Sequence, residues 1–177
     1  MYKLMRFPDW LLISTVLASF VFDRLSKNII SSWLALGESW PSDTFIKINH
    51  ATNSGSAFGL FPNQTMILII ASIFAIGFLV YFYTKYAVSS RILRFAVGLQ
   101  LGGAAGNLLD RIRDGAVVDF IDVGPWPIFN IADSSIVIGM TILVGYFLIN
   151  RDSEDSNPKT DPVLDNSNKS NEPNHIT

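Results

Sequence analysis

Two aspartates, Asp119 and Asp133, stand where a pair of carboxyl groups could hydrolyse an amide. Asp119 lies in a strand-like run at residues 116–123, and Asp133 begins an apolar stretch. If the fold brings them together, they cannot both ionise cheaply, so one keeps a proton while the other is anionic. The anion can take a proton from an attacking water, and the neutral acid can donate a hydrogen bond to the carbonyl oxygen. A helix amino terminus favours Asp133 as the anion, although coupled carboxyls titrate as a pair.

Taken singly, each aspartate has a simpler interpretation. Asp133 is a candidate helix cap, because Asp is among the residues preferred there, and Asp119 is a candidate solvated loop residue. The catalytic interpretation depends on the polar residues found near them. The supporting candidates are Asn53, Gly55, Asn107, Arg111 and Asn130.

The composition predicts an α-helical integral membrane protein. Of 177 residues, 49% are hydrophobic and only 16% are charged, which is too apolar a balance for an ordinary soluble domain. A bilayer core needs about 20 mostly apolar helical residues, and four stretches approach that length. They are residues 10–30, 66–83, 94–110 and 133–150. We therefore expect four transmembrane helices in a domain at residues 1–150, followed by a polar, disordered tail at residues 151–177.

The positions of Lys and Arg predict the orientation, because these residues are retained on the cytoplasmic side of short loops. They precede the first span and separate the second from the third, at Lys3, Arg6, Lys85, Arg91 and Arg94. Both termini are then cytoplasmic, and loops 31–65 and 110–132 face outward together. An alternative for the first apolar run is a secretory signal that is cleaved before Ser19.

The outward loops contain strand-like patterns. Residues 44–49 partly alternate, and Asp114-Gly115 resembles a hairpin turn before the run at residues 116–123. We expect a small β-sheet on the extracytoplasmic face. Trp33, Trp40 and Trp126 fit an interfacial aromatic belt.

Spacing within the first and third spans predicts how these helices are held. Asp23 and Lys27 are four residues apart, which places them on one helix face as a structural ion pair. Gly98, Gly102 and Gly106 repeat at every fourth residue, so a neighbouring helix can approach closely.

Several chemistries are disfavoured by what the chain lacks. There is no cysteine, so disulfides, thiol nucleophiles and Cys-ligated metals are excluded. The two histidines, His50 and His175, have no second His at metal-ligand spacing, and we expect neither a metal nor a cofactor. The net charge of −2 gives no basic excess for nucleic-acid binding.

Five segments, in order, resemble the lipoprotein signal peptidase (signal peptidase II) family. They are Asp23-Arg24-Leu25-Ser26-Lys27, Asn53-Ser54-Gly55-Ser56-Ala57-Phe58-Gly59, residues 102–111 (Gly-Gly-Ala-Ala-Gly-Asn-Leu-Leu-Asp-Arg), Val117-Val118-Asp119-Phe120 and Phe129-Asn130-Ile131-Ala132-Asp133. The resemblance covers roughly residues 9–150 and departs at Arg24, where many relatives have an uncharged polar residue.

The resemblance implies an aspartyl endopeptidase of the bacterial inner membrane, with Asp119 and Asp133 as its catalytic dyad. Its partners would be membrane lipid and prolipoproteins that carry diacylglycerol on a cysteine, and the bond on the amino side of that cysteine would be cut. The active site would lie toward the outer face, and we expect a monomer.

Three alternatives come from the residues. Ser56, with Lys27 or His50 as base, would make a serine protease, but Lys27 already has Asp23 as a partner. An ion- or proton-coupled carrier would also use intramembrane acids, although no internal repeat is visible and the acids gather at one face. A structural scaffold would leave the polar cluster unexplained.

Overall fold

The computed structural model describes residues 9–42, 44–55, 65–87 and 89–155, with side chains described as far as Asn150. Within these ranges the chain is mostly helical, with a small three-stranded sheet. The elements are α1 (Trp10–Trp33), β1 (Ser39–Trp40), β2 (Lys47–Asn53), α2 (Thr65–Phe82) with a π-helical turn (Tyr83–Ala87), α3 (Arg91–Asp114), β3 (Val117–Asp122) and α4 (Ile131–Asp155).

Three of these helices are long and apolar enough to cross a membrane: Thr65–Ala87, Arg91–Asp114 and Ile131–Asn150. The first of them, which comprises α2 and its π-helical turn, exposes large apolar side chains such as Ile67, Phe74 and Phe78. A helix that presents such side chains outward requires an apolar solvent. Helix α1 is as long as α3, but it contains Asp23, Arg24 and Lys27 and is not among the three.

Helix α3 packs between α1 and α4 through small residues. A Cβ atom at Gly98 would lie 2.8 Å from Thr15 Cβ, and one at Gly106 would lie 2.6 Å from Asp23 Oδ2, so both glycines face α1. On another side of α3, Gly103 meets the backbone carbonyl of Ala132 at the start of α4. The predicted packing role of the glycine repeat is confirmed.

Replacing Gly102 by alanine should destabilise the protein by about 1–3 kcal/mol, the usual cost of overpacking. The added Cβ would lie 2.6 Å from the Val16 carbonyl oxygen, and backbone cannot move aside as a flexible side chain can. Gly77→Ala in α2 is the matched control, because nothing lies within 4 Å of its Cβ position. Thermal unfolding in detergent micelles should show a lower Tm for Gly102→Ala alone, and equal Tm values for the two variants would contradict this packing.

The sheet has the order β1-β2-β3 and is antiparallel throughout. It lies at the end of the helices where α1 ends and α4 begins, since Ile30, Leu34 and Phe120 form one buried cluster with Ile131 against it. The register pairs Ala51 with Asp119, and a bulge interrupts the ladder between Ile48 and Ala51.

The hairpin interpretation of Asp114-Gly115 is wrong. Asp114 is the last residue of α3, and Gly115 is its C-cap in the left-handed region (φ 73°), donating from its N–H to the carbonyl oxygen of Arg111 at 3.2 Å. A helix end and a tight hairpin both need a residue with positive φ, so this dipeptide fits either. Strand β3 follows directly and pairs with β2, which starts three residues later than the predicted run at residues 44–49.

Candidate functional site

The connection between β3 and α4 brings Asp119 close to the start of α4. After β3 the chain turns back, and Phe129 pairs with Ile121 through its N–H to the Ile121 carbonyl oxygen at 3.1 Å and its own carbonyl to the Ile121 N–H at 2.8 Å. Asn130 is therefore held against β3 immediately before α4 begins. Residues that the sequence separates by loop 123–128 become neighbours.

Asn130 touches both predicted catalytic residues. Its Nδ2 donates to Asp119 Oδ1 at 2.6 Å, and its Oδ1 accepts from the backbone N–H of Asp133 at 2.9 Å. Asp133 Oδ2 in turn accepts from the backbone N–H of Asn130 at 3.4 Å. This reciprocal arrangement is a capping box, in which Asn130 is the N-cap and Asp133 stands at the third helical position. Asp133 is therefore not itself the N-cap.

Asp119 receives a second hydrogen bond from the neighbouring strand. Asn53 Nδ2 donates to Asp119 Oδ2 at 3.0 Å, since Asn53 stands two residues beyond Ala51, the partner of Asp119 in the ladder. Asn53 Oδ1 accepts from the backbone N–H of Gly55 at 3.0 Å, which orients the amide. The rest of that motif, residues 56–59, lies outside the described residues, and so does the alternative nucleophile Ser56.

Asn107 and Arg111 supply the third side of the site from α3. Asn107 Nδ2 donates to Asp133 Oδ1 at 2.8 Å, and Arg111 Nη1 donates to the Asn107 carbonyl oxygen at 3.4 Å. The charge of Arg111 acts on both Asp133 and Asp119. Arg111 Nε is buried and has no hydrogen-bond partner among the described residues.

The predicted ion pair between Asp23 and Lys27 is present, and it belongs to a larger cluster. Lys27 Nζ lies 2.7 Å from Asp23 Oδ2 and 2.7 Å from Asp110 Oδ2, and it donates to Asn107 Oδ1 at 2.9 Å. Arg24 pairs with the other oxygen of Asp110. Asp110 is thus a buried partner of two cations on α1.

Sequence reasoning missed Asp110 as a site neighbour and missed the second contact of Asp23. Asp23 Oδ1 accepts from the backbone N–H of Ala132 at 2.9 Å, across 109 residues of chain. No local spacing signals such a contact. The one available signal was the cost of burying Asp110 in an apolar stretch, which requires a cationic partner.

Burial raises the pKa of Asp119 to about 6, the hydrogen bond from Asn53 lowers it, and the nearby charge of Asp133 raises it. Its side chain is almost fully enclosed, with 3% exposed. The raised pKa means that the free protein carries a proton on this carboxyl below about pH 6 and loses it above. When a bound substrate excludes water from the site, the Asp119 carboxyl should keep its proton to a higher pH.

Infrared titration should therefore detect a protonated carboxyl band that fades as the pH rises through about 6. The band should be missing from Asp119→Asn. In Asn53→Ala its midpoint should move to higher pH, because a hydrogen bond that favours the anion is lost. A band with a midpoint near 4 in the parent protein would contradict the buried setting of this carboxyl.

In the part of the chain that the structure describes, no three His, Cys, Asp or Glu side chains gather as metal ligands. His50 is engaged with the end of α1, where its Nδ1 lies 2.8 Å from the Leu34 carbonyl oxygen and its Nε2 lies 3.4 Å from Ser31 Oγ. Lys27, the other candidate base for a serine protease, is buried among Asp23, Asn107 and Asp110.

Residues 15–149 match the family model described as signal peptidase (SPase) II. This chain belongs to the signal peptidase II family. It is therefore a hydrolase of the aspartic type, and the carrier alternative is not favoured.

Curated relatives agree with the family assignment. The chain is 41% identical to the lipoprotein signal peptidase of Syntrophotalea carbinolica over 150 residues, which cover 80% of this chain and 92% of the relative. It is 39% identical to the lipoprotein signal peptidase of Halothermothrix orenii over 133 residues, covering 74% and 90% of the two chains.

Two solved structures, each described as a bacterial membrane enzyme obtained by the in meso method, are similar to this signal peptidase II at 33% identity. One matches with a TM-score of 0.76 and covers 84% of this chain and 92% of its own. The other has a TM-score of 0.73 and covers 84% and 97%. The fold is therefore that of a membrane-embedded enzyme.

Proposed function

We propose that Asp119 and Asp133 form the catalytic dyad that removes signal peptides from prolipoproteins. The observation that carries this assignment is Asn130, which hydrogen-bonds the side chain of Asp119 and the backbone N–H of Asp133 at once. Two acids from different elements, a strand and a helix, are thereby held at one place. Their charges interact, which is the condition for a shared proton.

Asp133 acts as the anion and Asp119 as the neutral acid. Asp133 accepts hydrogen bonds from Asn107 Nδ2 and the Asn130 N–H at a helix amino terminus, and all three features stabilise negative charge. Asp119 is enclosed, with 3% of its surface exposed, whereas Asp133 is only half-buried, and Asp119 lies in a strand with no helix amino terminus beside it. Both differences favour the protonated form at Asp119.

The reaction then balances as one water added across the scissile amide. Asp133 removes a proton as the water oxygen bonds to the carbonyl carbon, while Asp119 donates a hydrogen bond to the carbonyl oxygen. The tetrahedral intermediate collapses when the C–N bond breaks and the leaving nitrogen takes the proton held by Asp133. The new carboxyl end of the signal peptide and the free amine of the product leave the site.

The supporting residues hold the substrate and the acids. Arg111 Nε is buried beside the dyad and without a partner in the described ranges, so it can donate to a carbonyl of an extended peptide. Asn53 and the buried Gly55 line the strand side, and Asn107 and Asn130 orient the carboxyls.

The enzyme spans the bacterial inner membrane through α1 to α4, with both termini cytoplasmic and the sheet on the outer face. Support comes from Lys and Arg in the connection between α2 and α3, at the end of the helices opposite the sheet. The charges of α1 do not prevent its insertion, because Asp23 and Lys27 are buried against α3. The peptidase domain is residues 1–150. Helix α4 continues to Asp155, into the polar tail predicted at residues 151–177, of which residues 156–177 lie outside the described part of the chain.

The substrate is a prolipoprotein bearing diacylglycerol on its cysteine, cut on the amino side of that residue. A site beside the membrane helices lets the acyl chains stay in lipid while the peptide crosses the dyad.

The test is cleavage of one purified prolipoprotein with and without the diacylglyceryl group. Only the modified form should be cut, and sequencing should show the lipidated cysteine at the amino terminus of the product. The activity should persist in EDTA. Equal cleavage of the unmodified form would contradict the proposed substrate, and a different new terminus would contradict the proposed bond.

A further inference from the structure

The side-chain amide of Asn107 has two chemically different ends, and its orientation decides what it offers Asp133. As observed, Nδ2 donates to Asp133 Oδ1 at 2.8 Å while Oδ1 faces α1. A rotated amide would point its carbonyl oxygen at Asp133, which an anionic carboxylate would repel. One orientation therefore supports the anion and the other opposes it.

Two donors converge on Asn107 Oδ1. Lys27 Nζ donates to it at 2.9 Å and Asn130 Nδ2 at 3.3 Å. A rotated amide would present its NH₂ group to the ammonium of Lys27, so that two donors would face each other at a residue that is only 2% exposed. The shorter and charged contact, from Lys27, is the stronger constraint.

Lys27 is held by residues of α1 and α3 and is linked to α4 through Asp23. Its ammonium is fixed by Asp23 on α1 and Asp110 on α3, each at 2.7 Å. Asp23 reaches α4 through the Ala132 N–H, one residue before Asp133. Arg24 balances the second acid, so the cluster contains two acidic and two basic side chains. The position of Nζ is thus tied to the helix that carries Asp133.

We propose that Lys27 is a positioning residue for hydrolysis, whose ammonium holds the Asn107 amide in the orientation that donates to Asp133. This role rests on the proposed function of Asp133 and goes beyond the ion pair with Asp23. Lys27 does not touch substrate in this assignment. Its charge also reaches both carboxyls through space, and the role proposed here is the part that passes through Asn107. Its removal should lower kcat and leave KM nearly unchanged.

A double-mutant cycle separates this role from general support of the fold. In the parent enzyme, Lys27→Met should lower kcat about 10- to 100-fold, as expected when a catalytic group is misplaced. In an Asn107→Ala background, which has no amide to orient, Lys27→Met should cause a much smaller fractional loss, because only the through-space effect of its charge on the carboxyls remains. Lys85 is an exposed lysine on the π-helical turn. Its replacement, Lys85→Met, is the matched control and should leave kcat unchanged.

The same fractional loss in both backgrounds would overturn the proposal, since it would mean that Lys27 acts through the fold or directly on the carboxyls. If Lys27→Met does not fold, Lys27→Gln takes its place in the cycle with the same criterion. The activity of Asp133→Asn, measured in the same assay, distinguishes a failure of the proposed function from a failure of the role of Lys27. An active Asp133→Asn defeats the proposed function, whereas an inactive one with no coupling defeats only the role of Lys27.

Discussion

Replacing either aspartate of the dyad by asparagine should lower kcat by at least about 10³-fold, because each variant loses either the base that takes a proton from water or the acid that donates to the carbonyl oxygen. Asp119→Asn leaves an amide that can still accept from Asn53 but cannot hold the shared proton. Asp133→Asn leaves no anion to take a proton from water. Turnover of a diacylglyceryl prolipoprotein by purified enzyme measures both.

The expected loss is catalytic and not structural. Asparagine has nearly the volume of aspartate, and neither carboxyl takes part in an ion pair shorter than 4 Å in the described residues. Each asparagine loses one of the two hydrogen bonds that the carboxylate oxygens accept, at a cost of about 1–3 kcal/mol, so both variants should remain folded with a modestly lower Tm. Asp122→Asn, on the same strand as Asp119, is the matched control and should stay fully active. Retention of more than about a tenth of the parental kcat by either dyad variant would contradict the assigned roles.

Asp110→Asn should cause the largest loss of stability, about 3 kcal/mol or more, since breaking a buried ion pair leaves uncompensated charge. Asp110 is 2% exposed and is the partner of both Arg24 and Lys27. Without it, two cations face Asp23 alone between α1 and α3. Chemical or thermal unfolding in micelles measures the change.

Asp114→Asn is the matched control for this prediction. Asp114 lies four residues further along α3 and pairs with Arg113 at 3.6 Å, but the side chains are 69% and 55% exposed for Arg113 and Asp114. An exposed pair of this kind contributes about 1 kcal/mol or less. Equally mild effects of Asp110→Asn and Asp114→Asn would contradict the role of the buried cluster in holding α1 to α3.

The sequence was most informative where spacing is local. Four-residue intervals predicted the contact between Asp23 and Lys27 and the close packing at Gly98, Gly102 and Gly106, because a helix turns every 3.6 residues. Hydropathy found the helices, although α3 runs from Arg91 to Asp114 and so extends beyond the predicted bounds at both ends. The added residues include Arg91 at the amino end and Arg111, Arg113 and Asp114 at the carboxyl end, and a hydropathy pattern counts such charges against a span.

Contacts between segments that are distant in the sequence were harder to predict. The pairing of Arg24 with Asp110 and of Asp23 with Ala132 depends on which helices are neighbours, and local periodicity does not encode that. The capping box was available in principle, since Asn130 and Asp133 stand three residues apart before an apolar run. The single-residue interpretation of Asp133 as a cap obscured it. The contact of Asn130 with Asp119 could not be predicted from this spacing. It exists because the chain turns back after β3 and Phe129 pairs with Ile121.

The most direct test of the dyad is the structure of the enzyme bound to a peptide whose scissile amide is replaced by a hydroxyethylene group. Its hydroxyl stands in for the tetrahedral oxygen, so it should lie within about 3.2 Å of one carboxyl oxygen from Asp119 and one from Asp133. A hydroxyl bound to only one of these aspartates, or held elsewhere on the protein, would contradict the shared catalytic role of the pair.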